Sequence, residues 1–113
     1  MSRISTHILD LTLGRPAAAV TVRLEREEGG AWQEIFRGVT DADGRIGSLN
    51  PVGAVLQVGR YRLGFETGPY FRAQGLDSFY PYIEVVVDID DPEQRYHIPL
   101  LLTPYSYSTY RGS

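Results

Sequence analysis

Hydrophobic and polar residues alternate in short runs along most of this chain, a pattern typical of β-strands with one buried face. In the first run, Ile4, Thr6 and Ile8 fall on one face, and Ser5 and His7 fall on the other. The 12 glycines and 7 prolines interrupt the runs at spacings typical of turns in a β-sandwich. The pattern predicts strands over residues 4–11, 20–27, 32–39, 45–49, 60–67, 82–89, 95–102 and 105–110.

One segment departs from the alternation. Residues 68–75 have a proline near their start and end at Gly75, an asymmetry that predicts a short helix of about two turns. Residues 51–59 are expected to form a loop or a short irregular stretch. Seven or eight strands with one short helix predict an all-β fold, a two-sheet β-sandwich, and 113 residues suit a single domain over 1–113.

Two predicted strand segments, 83–89 and 98–102, are apolar on both faces. The outward face of a sandwich strand is normally polar in a monomer, so a second apolar face indicates a second contact surface. We therefore expect an oligomer in which strand edges or outer faces pair between subunits. The alternative is a loop of the same chain that covers this face.

Composition excludes several classes of function. The chain has 11 basic and 14 acidic residues, and all the basic residues are arginine. A net charge of −3 without a basic stripe argues against nucleic acid and against anionic membranes. The absence of cysteine excludes disulfides and thiolate nucleophiles, and the absence of lysine excludes Schiff-base catalysis.

The sequence shows no recognisable targeting signal. No apolar run is long enough for a signal peptide or for a membrane-spanning helix. We therefore expect a cytoplasmic location and no membrane partner.

Acid–base chemistry is the main remaining candidate. His7 and His97 are the only histidines, and both fall on the outward phase of their strands. Imidazole titrates near pH ~6.5, so either side chain suits proton transfer, although a single histidine is more often structural. Metal binding is poorly supported, because Asp41 and Asp43 before Gly44 are better explained as a hairpin turn. No Gly-x-Ser-x-Gly motif indicates a serine nucleophile.

Both ends of the chain resemble a known family. Ile-Ser-Thr-His-Ile-Leu-Asp at 4–10 and His-Ile-Pro-Leu-Leu-Leu at 97–102 resemble the opening and closing motifs of the transthyretin-like family. Residues 40–45 resemble an internal motif of the same family. The Tyr-Arg-Gly-Ser segment at 110–113 is similar to that of its enzymatic branch, the 5-hydroxyisourate hydrolases.

The resemblance implies a transthyretin-like sandwich assembled as a homotetramer, a dimer of dimers around a central channel. The implied reaction adds water to a ring amide of 5-hydroxyisourate, the product of urate oxidation. Its product would be 2-oxo-4-hydroxy-4-carboxy-5-ureidoimidazoline. The implied partner is this small-molecule substrate, and no cofactor or metal is expected.

The resemblance also implies roles for particular residues. His7, Arg45, His97 and Ser113 would be catalytic, and Tyr110, Arg111 and Gly112 would bind the substrate. Either histidine could be the base, a carboxylate at Ser113 could orient Arg45 or a histidine, and Arg111 is almost equally well explained as a structural ion pair.

Two other functions remain open. The chain could bind thyroid-hormone-like aromatic ligands in the channel without turnover, although a bulky Tyr110 would narrow that channel. A scaffold or adhesion module would leave both histidines without a role.

Overall fold

A computed structural model of the chain describes residues 3–51 and 55–113 and contains two β-sheets. The first sheet contains β1 (Arg3–Asp10), β2 (Arg15–Pro16), β5 (Arg45–Ile46), β8 (Arg95–Thr103) and β9 (Ser106–Thr109). The second contains β3 (Thr21–Glu28), β4 (Ala31–Val39), β6 (Gly59–Phe65) and β7 (Ile83–Ile89). A helix, α1 (Thr67–Arg72), follows β6. Part of the predicted 51–59 loop lies outside the described residues.

Strand order brings the two ends of the chain together. The first sheet runs β2-β1-β8-β9, with β5 also paired to β1, and the second runs β4-β3-β6-β7. β1 and β8 pair in parallel along their whole length, from Arg3 opposite Arg95 to Asp10 opposite Leu102. Residues more than 90 positions apart in sequence are therefore neighbours on one surface of the first sheet.

The core lies between the two sheets and follows the predicted alternation. Ile4 and Ile8 of β1 are fully buried against Leu24, Leu63 and Leu100 from three other strands. Burying an aliphatic side chain of this size contributes about 1.5–3 kcal/mol. The inward phase of each strand therefore fixes its register, and the predicted two-sheet sandwich is confirmed.

A buried carboxylate ties the helix to the first sheet. Asp10 is the last residue of β1 and is fully buried. Its Oδ1 accepts hydrogen bonds from the backbone N–H groups of Thr12 and Leu13. Its Oδ2 accepts a 2.7 Å hydrogen bond from the Tyr70 hydroxyl. Burial, together with the hydrogen bond to Asp10, raises the pKa of Tyr70 to about 12.

The structure differs from the sequence prediction in the shortest elements. β2 was not predicted, because a two-residue strand is too short to show an alternation. β5 ends at Ile46 rather than at residue 49, since the chain turns inward there to bury Leu49. The helix ends at Arg72, and a turn through Gly75 follows it.

The prediction of two apolar faces was wrong for β7. Its outward face carries exposed Glu84 and Asp88 on either side of Val86, so that face is mainly polar. On β8 the second face is partly covered, with Pro99 buried and Leu101 half-buried. No helix formed by the described residues is long and apolar enough to cross a membrane.

Candidate active site

The pairing of three strands gathers the predicted catalytic side chains on the outward face of the first sheet. In the parallel pair β1 and β8, Ser5 lies opposite His97, and His7 lies opposite Pro99. In the antiparallel pair β1 and β5, Arg45 lies opposite His7. Since side chains alternate between faces along a strand, these positions share one face while Ile4, Thr6 and Ile8 face the core.

A tight turn fixes the position of Arg45. Asp41 Oδ1 accepts hydrogen bonds of 2.9 Å from the backbone N–H groups of both Asp43 and Arg45. Gly44 has a φ of 72°, and a Cβ atom there would lie 2.4 Å from the Ile8 carbonyl oxygen. Only glycine fits this conformation and this close approach, so the Asp-Gly turn delivers Arg45 to the edge of β1.

The last residues of the chain lie against His97. The Gly112 N–H donates a 2.7 Å hydrogen bond to the His97 carbonyl, as an isolated antiparallel bridge. β9 pairs with β8 so that Thr109 lies opposite Leu100, and the same register continues to the bridge. By that register Tyr110 lies opposite Pro99, on the same phase as His97.

A cleft of about 320 Å³ opens on this face, beside His97 and Arg45. Ser5, Arg3, Arg95 and Ser113 also line it. Arg3 and Arg95 are in register on neighbouring strands, yet neither they nor Arg45 form an ion pair with any residue of 3–51 or 55–113. The cleft is therefore positively charged and favours anions and electron-rich carbonyl oxygens.

His97 has a defined environment. Its Nδ1 lies 2.9 Å from Ser5 Oγ. Burial lowers the pKa of His97, and the nearby charges of Arg45 and His7 lower it further. The imidazole is therefore neutral at pH 7 and able to exchange a proton within the cleft.

The structure does not bring every predicted residue into the cleft. His7 is on the correct face, but it lies beside Arg45 rather than among the residues that line the cleft. Arg111 lies over the ring of Tyr96 at 4.7 Å and donates a 2.6 Å hydrogen bond to Gln94 Oε1. Tyr110 and Arg111 line a separate apolar gap of about 290 Å³ between the sheet edges at β7 and at β8 and β9.

Six residues that line the cleft were not predicted as site residues, and three of them are polar residues on the outward faces of β1 and β8. Arg3 and Ser5 share the outward phase of β1 with His7, and Arg95 shares that of β8 with His97. The sequence shows that these residues lie on the outward faces of their strands. It does not show that β1 and β8 are adjacent, so it could not predict that the residues line one cleft. Among the described residues, no group of three or more histidine, aspartate or glutamate side chains is arranged to hold a metal ion.

Comparison with known proteins identifies close relatives. A family profile described as HIUase/Transthyretin family matches residues 4–112. The 5-hydroxyisourate hydrolase of Salmonella typhimurium is 47% identical over 110 residues, which cover 97% of this chain and 80% of the relative. The mouse 5-hydroxyisourate hydrolase is 44% identical over 115 residues, which cover 99% and 96%.

Two solved structures show the same fold. The 5-hydroxyisourate hydrolase of Klebsiella pneumoniae has a TM-score of 0.89 and 41% identity, with all of both chains covered. Sea bream transthyretin, solved in complex with thyroxine, has a TM-score of 0.90 and 36% identity, covering 97% of this chain and 94% of its own. The fold is thus shared by a hydrolase and by a hormone-bound protein.

Proposed function

The chain belongs to the HIUase/Transthyretin family, and from that membership we propose that it hydrolyses 5-hydroxyisourate in the cleft beside His97 and Arg45. The relatives that carry this activity in their names are up to 47% identical over nearly the whole chain. The observation that carries the proposal for the site is the His97 imidazole in one cleft with Arg45, an arginine that has no ion pair among the described residues. Such a pair suits the addition of water to a cyclic amide.

The proposed reaction begins with water attack on a ring carbonyl. The water oxygen forms a bond to the carbonyl carbon, and negative charge develops on the carbonyl oxygen. Arg45 presents a planar fork of N–H donors that stabilises this charge. His97 or His7 takes the proton from water and transfers it to the ring nitrogen as the carbon–nitrogen bond breaks. The ring opens to a carboxylic acid, which loses its proton at neutral pH.

The positive charge of the cleft suits both the substrate and the product of this reaction. The substrate is a small, planar heterocycle rich in oxygen, and the product, 2-oxo-4-hydroxy-4-carboxy-5-ureidoimidazoline, carries a carboxylate. Arg3 and Arg95 add two positive charges to the lining of the cleft, which attract the oxygen atoms of the substrate and stabilise the new carboxylate. The proposed mechanism uses only side chains of the protein and requires no cofactor.

The remaining predicted residues are proposed to complete the site. Gly112 lets the terminal segment lie directly against His97, and Ser113 lines the cleft. Tyr110 and Arg111 are proposed to contact substrate from the neighbouring gap once subunits assemble. The structure of one chain also supports a structural role for Arg111, through Tyr96 and Gln94.

We propose a homotetramer, a dimer of dimers with the site facing a central channel. β7 and β9 are edge strands of the two sheets formed by residues 3–51 and 55–113, and an edge strand can pair with a strand of another subunit. Exposed apolar side chains also lie outside the core, with Leu11, Leu13, Phe79 and Tyr105 between 43% and 71% exposed. Large apolar side chains exposed to this degree favour association. A cytoplasmic location stays a prediction from the sequence.

The alternative function is the binding of thyroid-hormone-like aromatic ligands in the channel, since sea bream transthyretin shares the fold in a thyroxine complex. The ionisable groups of the cleft favour hydrolysis, because three arginines and a histidine form a polar site rather than an apolar one. Tyr110, on the same phase as His97, adds bulk where a two-ring ligand would have to fit.

An isotope experiment tests the proposed reaction. Freshly generated 5-hydroxyisourate is mixed with the protein in water enriched in ¹⁸O, and the product is analysed by mass spectrometry. Enzymatic ring opening predicts one ¹⁸O atom in the ureidoimidazoline carboxylate, formed at a rate proportional to protein concentration. A product that forms at the same rate without the protein would contradict the proposed function.

A further inference from the structure

The contact between Ser5 and His97 is specific to one ring nitrogen. Ser5 Oγ lies 2.9 Å from His97 Nδ1, and the two residues are in register on adjacent parallel strands. With Nδ1 occupied, the other ring nitrogen, Nε2, is left for chemistry in the cleft. The neighbouring Thr6 has no such contact with His97. Its hydroxyl is buried on the core side of the strand and donates a 2.7 Å hydrogen bond to the Ile98 carbonyl oxygen.

The charge around the cleft favours one neutral tautomer of His97. Arg3 on β1, Arg45 on β5 and Arg95 on β8 line the same cleft, and His7 lies on the same face. Ser5 already occupies Nδ1, so Nε2 is the ring nitrogen left to meet this charge, and positive charge stabilises a lone pair there and destabilises an N–H group. The favoured arrangement therefore keeps Nε2 unprotonated and places the ring proton on Nδ1.

We propose that Ser5 is a positioning residue, whose hydroxyl oxygen accepts the Nδ1–H of His97 and so holds Nε2 as the free base that faces the cleft. The same hydrogen bond persists after Nε2 takes a proton, because Nδ1 keeps its hydrogen throughout. Ser5 is only partly buried, so its own hydroxyl hydrogen is free to bond to water. The expected effect of Ser5 on catalysis rests on the proposed function. The expected effect of Ser5 on the tautomer of His97 does not.

This hydrogen bond predicts how substitutions of Ser5 change the tautomer and the pKa of His97. Loss of the acceptor weakens the preference for Nδ1–H to what the charge of the cleft alone provides, so the Nε2–H tautomer of His97 becomes more populated in Ser5→Ala. The hydrogen bond also stabilises the charged imidazolium, so its removal lowers the pKa of His97 beyond the effects of burial, Arg45 and His7. Ser5→Thr keeps the hydroxyl and suits a strand, so it is expected to restore both properties.

The experiment is a ¹⁵N NMR titration of the full chain, with His7→Gln used to assign the two histidines. Wild-type His97 should show the Nδ1–H tautomer above its pKa, Ser5→Ala should show a mixture and a lower pKa, and Ser5→Thr should resemble the wild type. Ser78→Ala is the matched control, since it removes another serine side-chain hydrogen bond, from Ser78 Oγ to the Tyr80 carbonyl. It should leave His97 unchanged.

Kinetics on the same variants complete the test. Ser5→Ala should lower kcat by about tenfold with little change in KM, as expected when one orienting hydrogen bond is lost but substrate contacts remain. A wild-type Nε2–H tautomer, or an unchanged tautomer in folded Ser5→Ala, would overturn the proposal. If the wild type failed to hydrolyse 5-hydroxyisourate while the NMR results held, the proposed function would fail and the positioning of His97 would stand.

Discussion

Gly112 lies so close to His97 that a Cβ atom added to it would be 2.7 Å from the imidazole Cδ2. The same glycine donates its N–H to the His97 carbonyl at 2.7 Å. The terminal segment therefore packs against the ring as well as against the backbone of His97. Any side chain at position 112 has to displace either the imidazole or the segment.

Gly112→Ala is expected to lower kcat by about 10- to 100-fold, the scale of a displacement near 1 Å in a catalytic group. The core residues lie upstream of this position, so thermal unfolding should change little. Steady-state kinetics and a thermal melt on the same sample measure the two effects. A fully active Gly112→Ala variant would contradict the close packing between this glycine and His97.

Arg45→Lys is expected to lower kcat/KM by at least about 100-fold, although the charge is kept. Lysine lacks the planar fork that stabilises developing negative charge on a carbonyl oxygen. Arg60→Lys is the matched control, because Arg60 pairs with exposed Asp88 on the other sheet, at 2.8 Å. If the two variants lost activity equally, Arg45 would have no special role.

Tyr70→Phe is expected to reduce the free energy of unfolding by about 1–3 kcal/mol, since Asp10 would lose a hydrogen bond in a fully buried position. The pKa of Tyr70 is raised from 10.0 to about 12, so the wild-type advantage is fully present below pH 10. It should disappear as the pH rises through about 12. Urea unfolding of both proteins at pH 8 and near pH 12 checks the sign, and an equal difference at both values would contradict it.

The acid limb of the pH profile reports on His97. Its pKa lies below the ordinary 6.5, because of burial and of the charges of Arg45 and His7. The neutral base therefore persists below pH 6.5, and kcat/KM is expected to fall only at a lower pH. An acid limb centred at or above pH 6.5 would show that another group controls the rate.

Light scattering tests the proposed assembly. The expected mass is four times the 12.7 kDa of one chain at micromolar concentration. The reason is the combination of open edge strands, β7 and β9, with exposed apolar side chains. A mass of 12.7 kDa would contradict the tetramer and any substrate contact that crosses between subunits.

The sequence predicted the sandwich well because strand alternation is a local property. Ile4, Thr6 and Ile8 were assigned to one face and are all buried. Asp10 continues the same inward phase of β1 and is also fully buried. Its three hydrogen bonds, one of them from Tyr70, are long-range or turn contacts that a pattern of hydrophobic residues does not reveal.

The site was predicted less completely for a related reason. His7 and His97 belong to strands at opposite ends of the chain, and only the parallel pairing of β1 and β8 makes them neighbours. The sequence alone assigns no role to Ser5, because its contact with His97 depends on the same strand pairing. Arg111 was predicted to bind substrate through the family resemblance, whereas in one chain its guanidinium lies over Tyr96.

The most direct test of the account is the ultraviolet decay of freshly generated 5-hydroxyisourate, with and without the protein, in buffer containing EDTA. The account predicts that the decay accelerates in proportion to protein concentration, that EDTA has no effect, and that His97→Gln removes most of the acceleration. A decay rate equal to that of buffer alone would contradict the proposed hydrolase. Loss of activity in EDTA that zinc restores would contradict the metal-free mechanism.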